Sequence, residues 1–214
     1  MLIILTGSWI GPTALFASTL AKAVVAMEPD NAAFQTLTQN VALNPHLNIK
    51  ALRMCISPIH EEVTMRAGGI MQGDSMSQIE RGIQSKGKDG VQCSPLLTII
   101  DALDLHPPLF IKIDVEGMEA EIILSWMSWI PKLQPTIFLS IHQHLRQYKD
   151  SEKSGVLEIL SLFPYVYVVT DCLNCKGTFE RAFIHPSNST LCEKCDYLAG
   201  FSPKMFLPVQ KARV

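Results

Sequence analysis

The chain has 214 residues, of which 48% are hydrophobic and 18% are charged, and its formal net charge is −2. This composition supplies enough apolar residues for one large folded domain and excludes an intrinsically disordered chain. Lysine and arginine are dispersed along the sequence, whereas nucleic-acid binding needs a concentrated basic surface. We therefore expect a globular protein whose main partner is not a nucleic acid.

The first 21 residues carry no charged side chain, a feature that signal peptides and membrane anchors share. A signal peptide needs a basic segment before its apolar run, and the first lysine here is Lys22. Gly7, Gly11 and Pro12 would also interrupt a membrane-spanning helix near its middle. A buried strand, a glycine turn and a helix starting at Pro12 explain the same residues. We predict a cytoplasmic protein that does not act at a membrane.

Short runs of β-forming residues alternate with helical patterns along most of the chain. This alternation predicts an α/β fold, a parallel sheet with helices on both faces. Residues 57–92 are less regular and predict a hairpin or loop excursion. The predicted strands span 2–5, 23–27, 49–56, 109–114, 136–141 and 165–169, and the predicted helices 12–21, 30–42, 96–103, 117–130 and 155–163.

Two strand ends near the start of the chain predict a nucleoside-containing cofactor. The first strand ends in a glycine turn from Gly7 to Gly11, where the backbone can approach a ligand closely. The second ends at Glu28, which lies about 20 residues further on, the spacing at which an acid accepts hydrogen bonds from ribose hydroxyls. The glycine turn alone is equally compatible with an ordinary tight turn, and neither motif is decisive by itself. The predicted cofactor-binding residues are Gly7, Ser8, Gly11, Glu28 and Ser57, the last following the third strand.

The choice of cofactor depends on Trp9. A nicotinamide dinucleotide needs its pyrophosphate held at a helix N-terminus, usually by a G-x-G-x-x-G turn. Trp9 occupies the place of the middle glycine and leaves little room for a pyrophosphate. S-adenosylmethionine (SAM) has no phosphate, and the sequence favours it.

The end of the fourth predicted strand, 109–114, carries a cluster of acids. Asp114 ends a run of β-forming residues, and Glu116 and Glu119 flank Gly117 before a helical pattern begins. Ligands of open α/β sheets bind outside the carboxyl ends of the strands, so the acids are well placed for chemistry. Lys112 lies in the same strand, which the sequence predicts to be buried on both faces. A buried ion pair with ordinary acids at a helix start is the alternative.

These motifs resemble those of the FkbM family of SAM-dependent methyltransferases, over residues 3 to about 145 and more faintly to 200. The resemblance rests on 7–13, 26–31 with 39–44, 73–77, 111–119 and 140–142. It implies a class I methyltransferase (Rossmann-like) fold with a mostly parallel seven-stranded sheet. It also implies methyl transfer to a hydroxyl of a sugar or other natural product. The family commonly has an aspartate where this chain has Leu5, an acid that helps to hold the methionine end of the cofactor.

In the implied topology the fourth and fifth strands are neighbours, so Asp114 and His142 should face one another. We predict Asp114, His142 and Glu116 at the reacting centre, with His142 as the general base, because its side chain titrates near neutrality. A histidine that only caps the strand end by a backbone hydrogen bond is the alternative. The predicted acceptor is a small molecule or a glycan, and the sequence carries no signal for an oligomeric state.

Two further classes of function stay open. One is an oxidoreductase that uses NAD, which the glycine turn disfavours. The other is a catalytically degenerate methyltransferase fold that serves as a binding module, which Leu5 keeps open. We expect a single FkbM-type methyltransferase domain over residues 1–214.

The six cysteines divide into lone Cys55 and Cys93 and two C-x₂-C pairs. In a cytoplasmic protein we expect reduced thiols or metal ligands and not a disulfide framework. The pairs lie 16 residues apart, a spacing typical of a zinc ribbon, and predict a structural Zn²⁺ site in a small β-excursion over residues 171–197. Unliganded thiols or two disulfides are the alternatives. The predicted ligands are Cys172, Cys175, Cys192 and Cys195.

Overall fold

The computed structural model describes residues 1–66, 73, 75–81, 90–142, 145, 147–170, 178–182, 191 and 195–201. Their strands are β1 Leu2–Thr6, β2 Ala23–Met27, β3 Ile49–Leu52, β4 Cys55–Ile56, β5 Glu61–Arg66, β6 Gln78–Glu80, β7 Val91–Ser94, β8 Leu109–Ile113, β9 Thr136–Leu139, β10 Tyr165–Thr170, β11 Thr178–Ala182 and β12 Cys195–Gly200. Their helices are α1 Pro12–Ser18, α2 Asn31–Ala42, α3 Leu96–Ala102, α4 Glu119–Leu124, α5 Ile130–Leu133 and α6 Asp150–Ser161. None of these helices is long and apolar enough to cross a bilayer.

The chain divides into two compact units. Unit 1 comprises Met1–Pro107 and Asp114–Glu116, and unit 2 comprises Pro108–Ile113 and Gly117–Val214. Each unit contains strands and helices, so the predicted α/β class is confirmed. The prediction of one domain over residues 1–214 stays a prediction.

In unit 1, strands β1, β2 and β3 form a parallel set with β2 in the middle. Ile4 and Ala26 lie on these strands and are fully buried, as is Leu37 of α2. Burial of such apolar side chains is the main driving force for this layer. Asp30 caps α2 by accepting hydrogen bonds from two backbone amides.

A second, four-stranded sheet of unit 1 has the order β4-β7-β5-β6. The predicted strand 49–56 is therefore wrong as a single element: it breaks at residues 53–54, β3 pairs with β2, and β4 pairs with β7. The physical reason is a change of partner, because the chain leaves one sheet for another within two residues. The predicted excursion over residues 57–92 contributes the other strands of this small sheet.

In unit 2, β8 and β9 are parallel, and β12, β10 and β11 continue the sheet with antiparallel pairing. Strand β8 alternates between buried and half-buried residues, so the prediction that it is buried on both faces is wrong and Lys112 is half-buried. The predicted helix 117–130 is wrong as a single element: α4 ends at Leu124, and α5 begins only at Ile130, with Pro131 in its first turn. In α6, a Cβ on Gly155 would lie 2.4 Å from Leu124 Cδ2 of α4, so this glycine permits close packing of the two helices.

Cys55 and Cys93 are joined by a disulfide bond, and the expectation of reduced thiols at these two positions is wrong. The parallel pairing of β4 with β7 places the two residues opposite each other. The pair is buried together with Val63 and Val91 in the core of the small sheet. Disulfides persist mainly in oxidising compartments, so this bond weighs against the cytoplasmic localisation, which stays a prediction.

Reduction of this disulfide should destabilise unit 1. The bond spans 38 positions, and in the chain-entropy model a closed loop of that size stabilises the folded state by about 3–4 kcal/mol. We expect urea unfolding in the presence of a thiol reductant to shift to lower urea by a corresponding amount. In the variant with Cys55→Ala and Cys93→Ala, this reductant-dependent shift should disappear. Equal midpoints for the unsubstituted chain with and without reductant would contradict the prediction.

Candidate active site

The turn after β1 has an unusual backbone conformation that brings two chain segments together. Gly7 has a φ of +68°, and a Cβ added to it would lie 1.8 Å from the backbone oxygen of Asp114. No other residue type fits this contact without moving the backbone. Trp9 also adopts a positive φ, of 48°, which is uncommon for a bulky residue. The glycine predicted from the sequence is therefore required by the approach of Asp114.

The second glycine of this turn serves a packing contact. Gly11 has a φ of +95°, and its Cβ would lie 2.6 Å from Leu37 Cδ1 of α2. Asn40 of α2 donates a hydrogen bond of 2.8 Å to the carbonyl oxygen of Ile10. Gly11 thus holds the turn against α2, and its predicted contact with the cofactor stays a prediction.

Glu28 connects the turn after β1 to the turn after β2. Its carboxylate accepts hydrogen bonds from the backbone amides of Trp9, at 2.7 Å, and of Asp30, at 2.8 Å. The residue is 6% exposed, and burial raises the pKa of Glu28 from its usual 4.5 to about 7, although the two amides oppose the shift. A carboxylate has about four acceptor sites, so Glu28 retains acceptor capacity for hydroxyl groups of a ligand.

Residues 73 and 75–77 are fastened to the same two turns. The indole Nε1 of Trp9 donates a hydrogen bond of 3.0 Å to the carbonyl oxygen of Gly73. The hydroxyl of Ser77 donates one of 3.1 Å to Asp30. A Cβ on Gly73 would lie 2.9 Å from the Cβ of Ala32, so this residue packs closely on the start of α2. Gly73 and Ser77, from the segment 73–77 that carries part of the family resemblance, therefore lie next to the tip of β2.

The two serines predicted to bind cofactor are buried and engaged with the backbone. Ser8 donates through its hydroxyl to the carbonyl oxygen of Leu5, at 3.4 Å. Ser57 donates through its hydroxyl to the carbonyl oxygen of Ile59, and its amide donates to Ser94 at 3.2 Å. Ser57 follows β4 of the small sheet and not β3, because the predicted third strand is split. Their roles toward a cofactor stay predictions.

Unit 2 contains a second buried carboxylate with a different environment. Glu119, the first residue of α4, is fully buried. It accepts hydrogen bonds from His142 Nδ1 at 2.7 Å, from the Tyr148 hydroxyl at 2.5 Å and from the Gly117 amide at 3.1 Å. Burial by itself would raise the pKa of Glu119, but the hydrogen bonds from His142 and Tyr148 outweigh it and hold the pKa below its usual range.

The bond to Glu119 defines the protonation pattern of His142. An ionised carboxylate can only accept, so Nδ1 carries the proton and, in the neutral ring, Nε2 carries the lone pair. The side chain is 20% exposed. The structure thus gives this histidine a carboxylate partner, which was not part of the alternative of a strand-capping histidine. A carboxylate that accepts a hydrogen bond from one imidazole nitrogen restricts the orientation of the ring, an arrangement that general bases use.

The other predicted catalytic residues lie in unit 1. Asp114 contributes its backbone to the contact with Gly7, and Glu116 has a φ of +53°. Because His142 belongs to unit 2, its facing Asp114 stays a prediction, as does the role of Glu116. Of the predicted zinc ligands, Cys172, Cys175 and Cys192 lie outside the described residues, and Cys195 begins β12 with its side chain outside the description.

Two features of this site were not predicted from the sequence. Tyr148 was not predicted as a site residue, because it lies in an irregular segment before α6 and belongs to no motif. Glu119 was identified only as one acid of the cluster, and its bond to His142 was not foreseen. Its place in the motif was the only signal available in the sequence.

Comparison with solved structures places the chain in a structural class. The crystal structure of Methyltransferase FkbM from Methylobacillus flagellatus KT is similar, with a TM-score of 0.55 and 17% identity over 92% of this chain and 42% of that chain. This likeness shows the class I methyltransferase fold. An O-methyltransferase from Bacillus cereus in complex with SAH (S-adenosylhomocysteine) has a TM-score of 0.48 and 12% identity, over 94% and 74% of the two chains.

The sequence gives the family. The model of the Methyltransferase FkbM domain matches residues 6–172, more than half of the chain, and the chain belongs to this family of methyltransferases. The chain spans less than half the length of the FkbM structure from Methylobacillus flagellatus. No curated protein matches it significantly.

The stability of the protein should fall as the pH rises through the range in which Glu28 ionises. Between 4.5 and about 7 the folded chain holds a proton on Glu28 that the unfolded chain has released. This part of the unfolding free energy, about 3 kcal/mol, is therefore fully present in acid and lost as the pH rises through the folded pKa. We expect Glu28→Gln, which cannot ionise, to lose this dependence in urea unfolding measured across about pH 5–8.

The matched control for this measurement is Glu121→Gln, which removes a carboxylate from α4. It should leave the pH dependence of the unsubstituted chain intact. Identical pH profiles for Glu28→Gln and the unsubstituted chain would contradict the role of Glu28.

Proposed function

We propose that the domain transfers a methyl group from SAM to a hydroxyl of a small-molecule or glycan acceptor. Membership of the FkbM family supports methyl transfer. The observation that carries the proposal is Glu28, a buried carboxylate that is tied to the glycine turn and retains acceptor capacity. The proposal of O-methylation rests on the oriented imidazole of His142.

The residues of unit 1 fit the adenosine part of SAM by their chemistry. A ribose offers two neighbouring hydroxyl donors, and the Glu28 carboxylate is a buried acceptor at the tip of β2. The turn from Gly7 to Gly11 has no charged side chain and contains Trp9 in the position where a dinucleotide turn has glycine. Gly7, Ser8 and Ser57 are the further residues that we propose at the cofactor. When bound, SAM supplies an electrophilic methyl group.

The protein's own contribution would be orientation and proton transfer. Holding the acceptor in line with the methyl group can contribute several kcal/mol by itself, on the order of 7 or more in favourable cases. Nε2 of His142 would accept the proton of the acceptor hydroxyl as the oxygen attacks. The ionised Glu119 would hold the ring in place and stabilise the imidazolium that forms. Asp114 and Glu116 are proposed to complete this reacting centre.

Binding measurements distinguish two alternative functions from the proposed methyl transfer. An oxidoreductase would bind NAD. The positive φ of Trp9 and the hydrogen bond from its backbone amide to the Glu28 carboxylate argue against NAD binding. A degenerate binding module would keep the fold without productive SAM binding, as the apolar residue Leu5 suggests. Calorimetric titration with SAM, SAH and NAD distinguishes the three. SAM and SAH binding without NAD binding is the result that we expect.

Glu28→Gln should weaken the binding of SAM and SAH while keeping the size of the side chain. Loss of the charge removes about 1.5–3 kcal/mol of hydrogen bonding to the ribose, or roughly a 10- to 150-fold rise in Kd. The measurement is calorimetric titration above pH 7, where the native carboxylate is ionised. Glu121→Gln serves as the control. Unchanged affinity in Glu28→Gln would refute the assignment of this carboxylate to the ribose.

His142→Asn should abolish most turnover and leave SAM affinity unchanged. The asparagine amide can replace Nδ1 as the donor to buried Glu119, so the substitution removes the base and spares its partner. We expect a fall in turnover of roughly 10²–10⁴-fold, the usual contribution of a general base. The assay follows the tritiated methyl group of SAM into a panel of monosaccharides and glycosides.

His60→Asn is the control for this substitution, because His60 is exposed and its Nδ1 contacts Ser94 at 3.1 Å. It should methylate at the rate of the unsubstituted chain. A His142→Asn variant of normal turnover, or one that loses SAM binding together with turnover, would show that His142 is structural.

We further propose the structural Zn²⁺ site at Cys172, Cys175, Cys192 and Cys195. Its support is the doubled C-x₂-C spacing alone, which can place four thiolates tetrahedrally around one ion.

A further inference from the structure

Tyr148 is a buried phenol whose hydroxyl is directed at a buried charge. The residue is 3% exposed and lies just before the N-cap of α6. Its hydroxyl donates a hydrogen bond of 2.5 Å to Oε2 of Glu119. The other oxygen of the same carboxylate, Oε1, accepts the hydrogen bond from His142. Tyr148 and His142 therefore donate to different oxygens of the same carboxylate.

We propose that Tyr148 is a positioning residue that acts through Glu119 to fix the ring of His142 and to limit how strongly that ring holds a proton. The inference deepens the proposed function, on which its consequence for turnover rests. Tyr148 lies outside every motif identified in the sequence.

The hydrogen bond from Tyr148 affects how the negative charge of Glu119 acts on His142. A donor on Oε2 withdraws part of that charge, so less of it is available at Oε1 to stabilise a protonated His142. Without the phenol, the carboxylate would pair more strongly with imidazolium, and the ring would release a proton less readily. A base that holds its proton too strongly returns to its neutral form only at higher pH.

The same bond also fixes geometry. Two parts of the chain supply the network: Glu119 begins α4, and His142 and Tyr148 lie in the segment between β9 and α6. A carboxylate with donors on both oxygens cannot rotate without losing one of them, so the position of Oε1 under His142 is defined. Nε2 of His142 is thereby kept in one direction.

Other charged groups on the same elements would also contribute to a titration of His142. They are Glu121 on α4 and Lys149, Asp150 and Glu152 at the start of α6. Glu152 accepts a hydrogen bond from the Lys149 amide at 2.8 Å and so belongs to the N-terminal cap of α6. The described hydrogen bonds join Glu119 directly to His142 and Tyr148.

The test is an NMR titration of the imidazole of His142 in the whole chain, with no acceptor and no turnover required. The resonance is assigned by its loss in His142→Asn. We expect Tyr148→Phe to move the titration midpoint upward by about half a pH unit to one unit, and Glu119→Gln to move it downward, because the anion is lost. Tyr165→Phe, which removes a phenol from β10, should leave the midpoint unchanged.

The ring nitrogen shifts give a second readout. In the unsubstituted chain these chemical shifts should report the tautomer with the proton on Nδ1. In Tyr148→Phe we expect broader resonances or shifts between those of the two tautomers, because the Glu119 carboxylate can then rotate. An unchanged midpoint in folded Tyr148→Phe, or a downward shift, overturns the inference. An upward shift supports it even if His142→Asn proves fully active, an outcome that would refute the proposed base and not the network.

Discussion

The carboxylate of Glu28 accepts hydrogen bonds from the amides of two different turns, and the geometry of the predicted cofactor site depends on this shared acceptor. Trp9 supplies one donor and Asp30 the other, so the turn after β1 and the turn after β2 have a fixed separation. Asp30 in turn caps α2 and binds Ser77, while Trp9 binds Gly73. Removal of the carboxylate would leave two amides without their acceptor and loosen each of these contacts.

Two buried glutamates of similar exposure have opposite protonation behaviour, and the number and type of their donors explain the difference. Glu28 has two neutral backbone donors, which do not compensate for burial, and its pKa rises to about 7. Glu119 has a histidine, a phenol and an amide, which outweigh burial and lower its pKa. The first carboxylate can take up a proton when no ligand hydroxyl is present, whereas the second stays ionised and holds His142. Such opposite environments are how one fold assigns different tasks to the same side chain.

Much of the fold followed from local sequence signals. The bounds of β2 and α2 and the glycine turn from Gly7 to Gly11 depend on residues close in sequence, and the structure agrees with them. The division of residues 49–56 between two sheets was missed, since strand propensity does not say which partner a strand will pair with. The disulfide between Cys55 and Cys93 was missed for the same reason. It requires the register of β4 with β7, which joins residues 38 positions apart.

By itself, the sequence determined the class of fold, the family motifs and the identity of the acids at the strand ends, because periodicity, glycine turns and short motifs are local properties of a chain. The tertiary structure alone decided what those acids bind. Glu28 became a bridge between two turns, and Glu119 became the partner of His142 and Tyr148, which lie 23 and 29 positions away. The hydrogen-bond partners of a buried carboxylate are set by which chain segments pack around it, and that packing forms only when distant segments fold together.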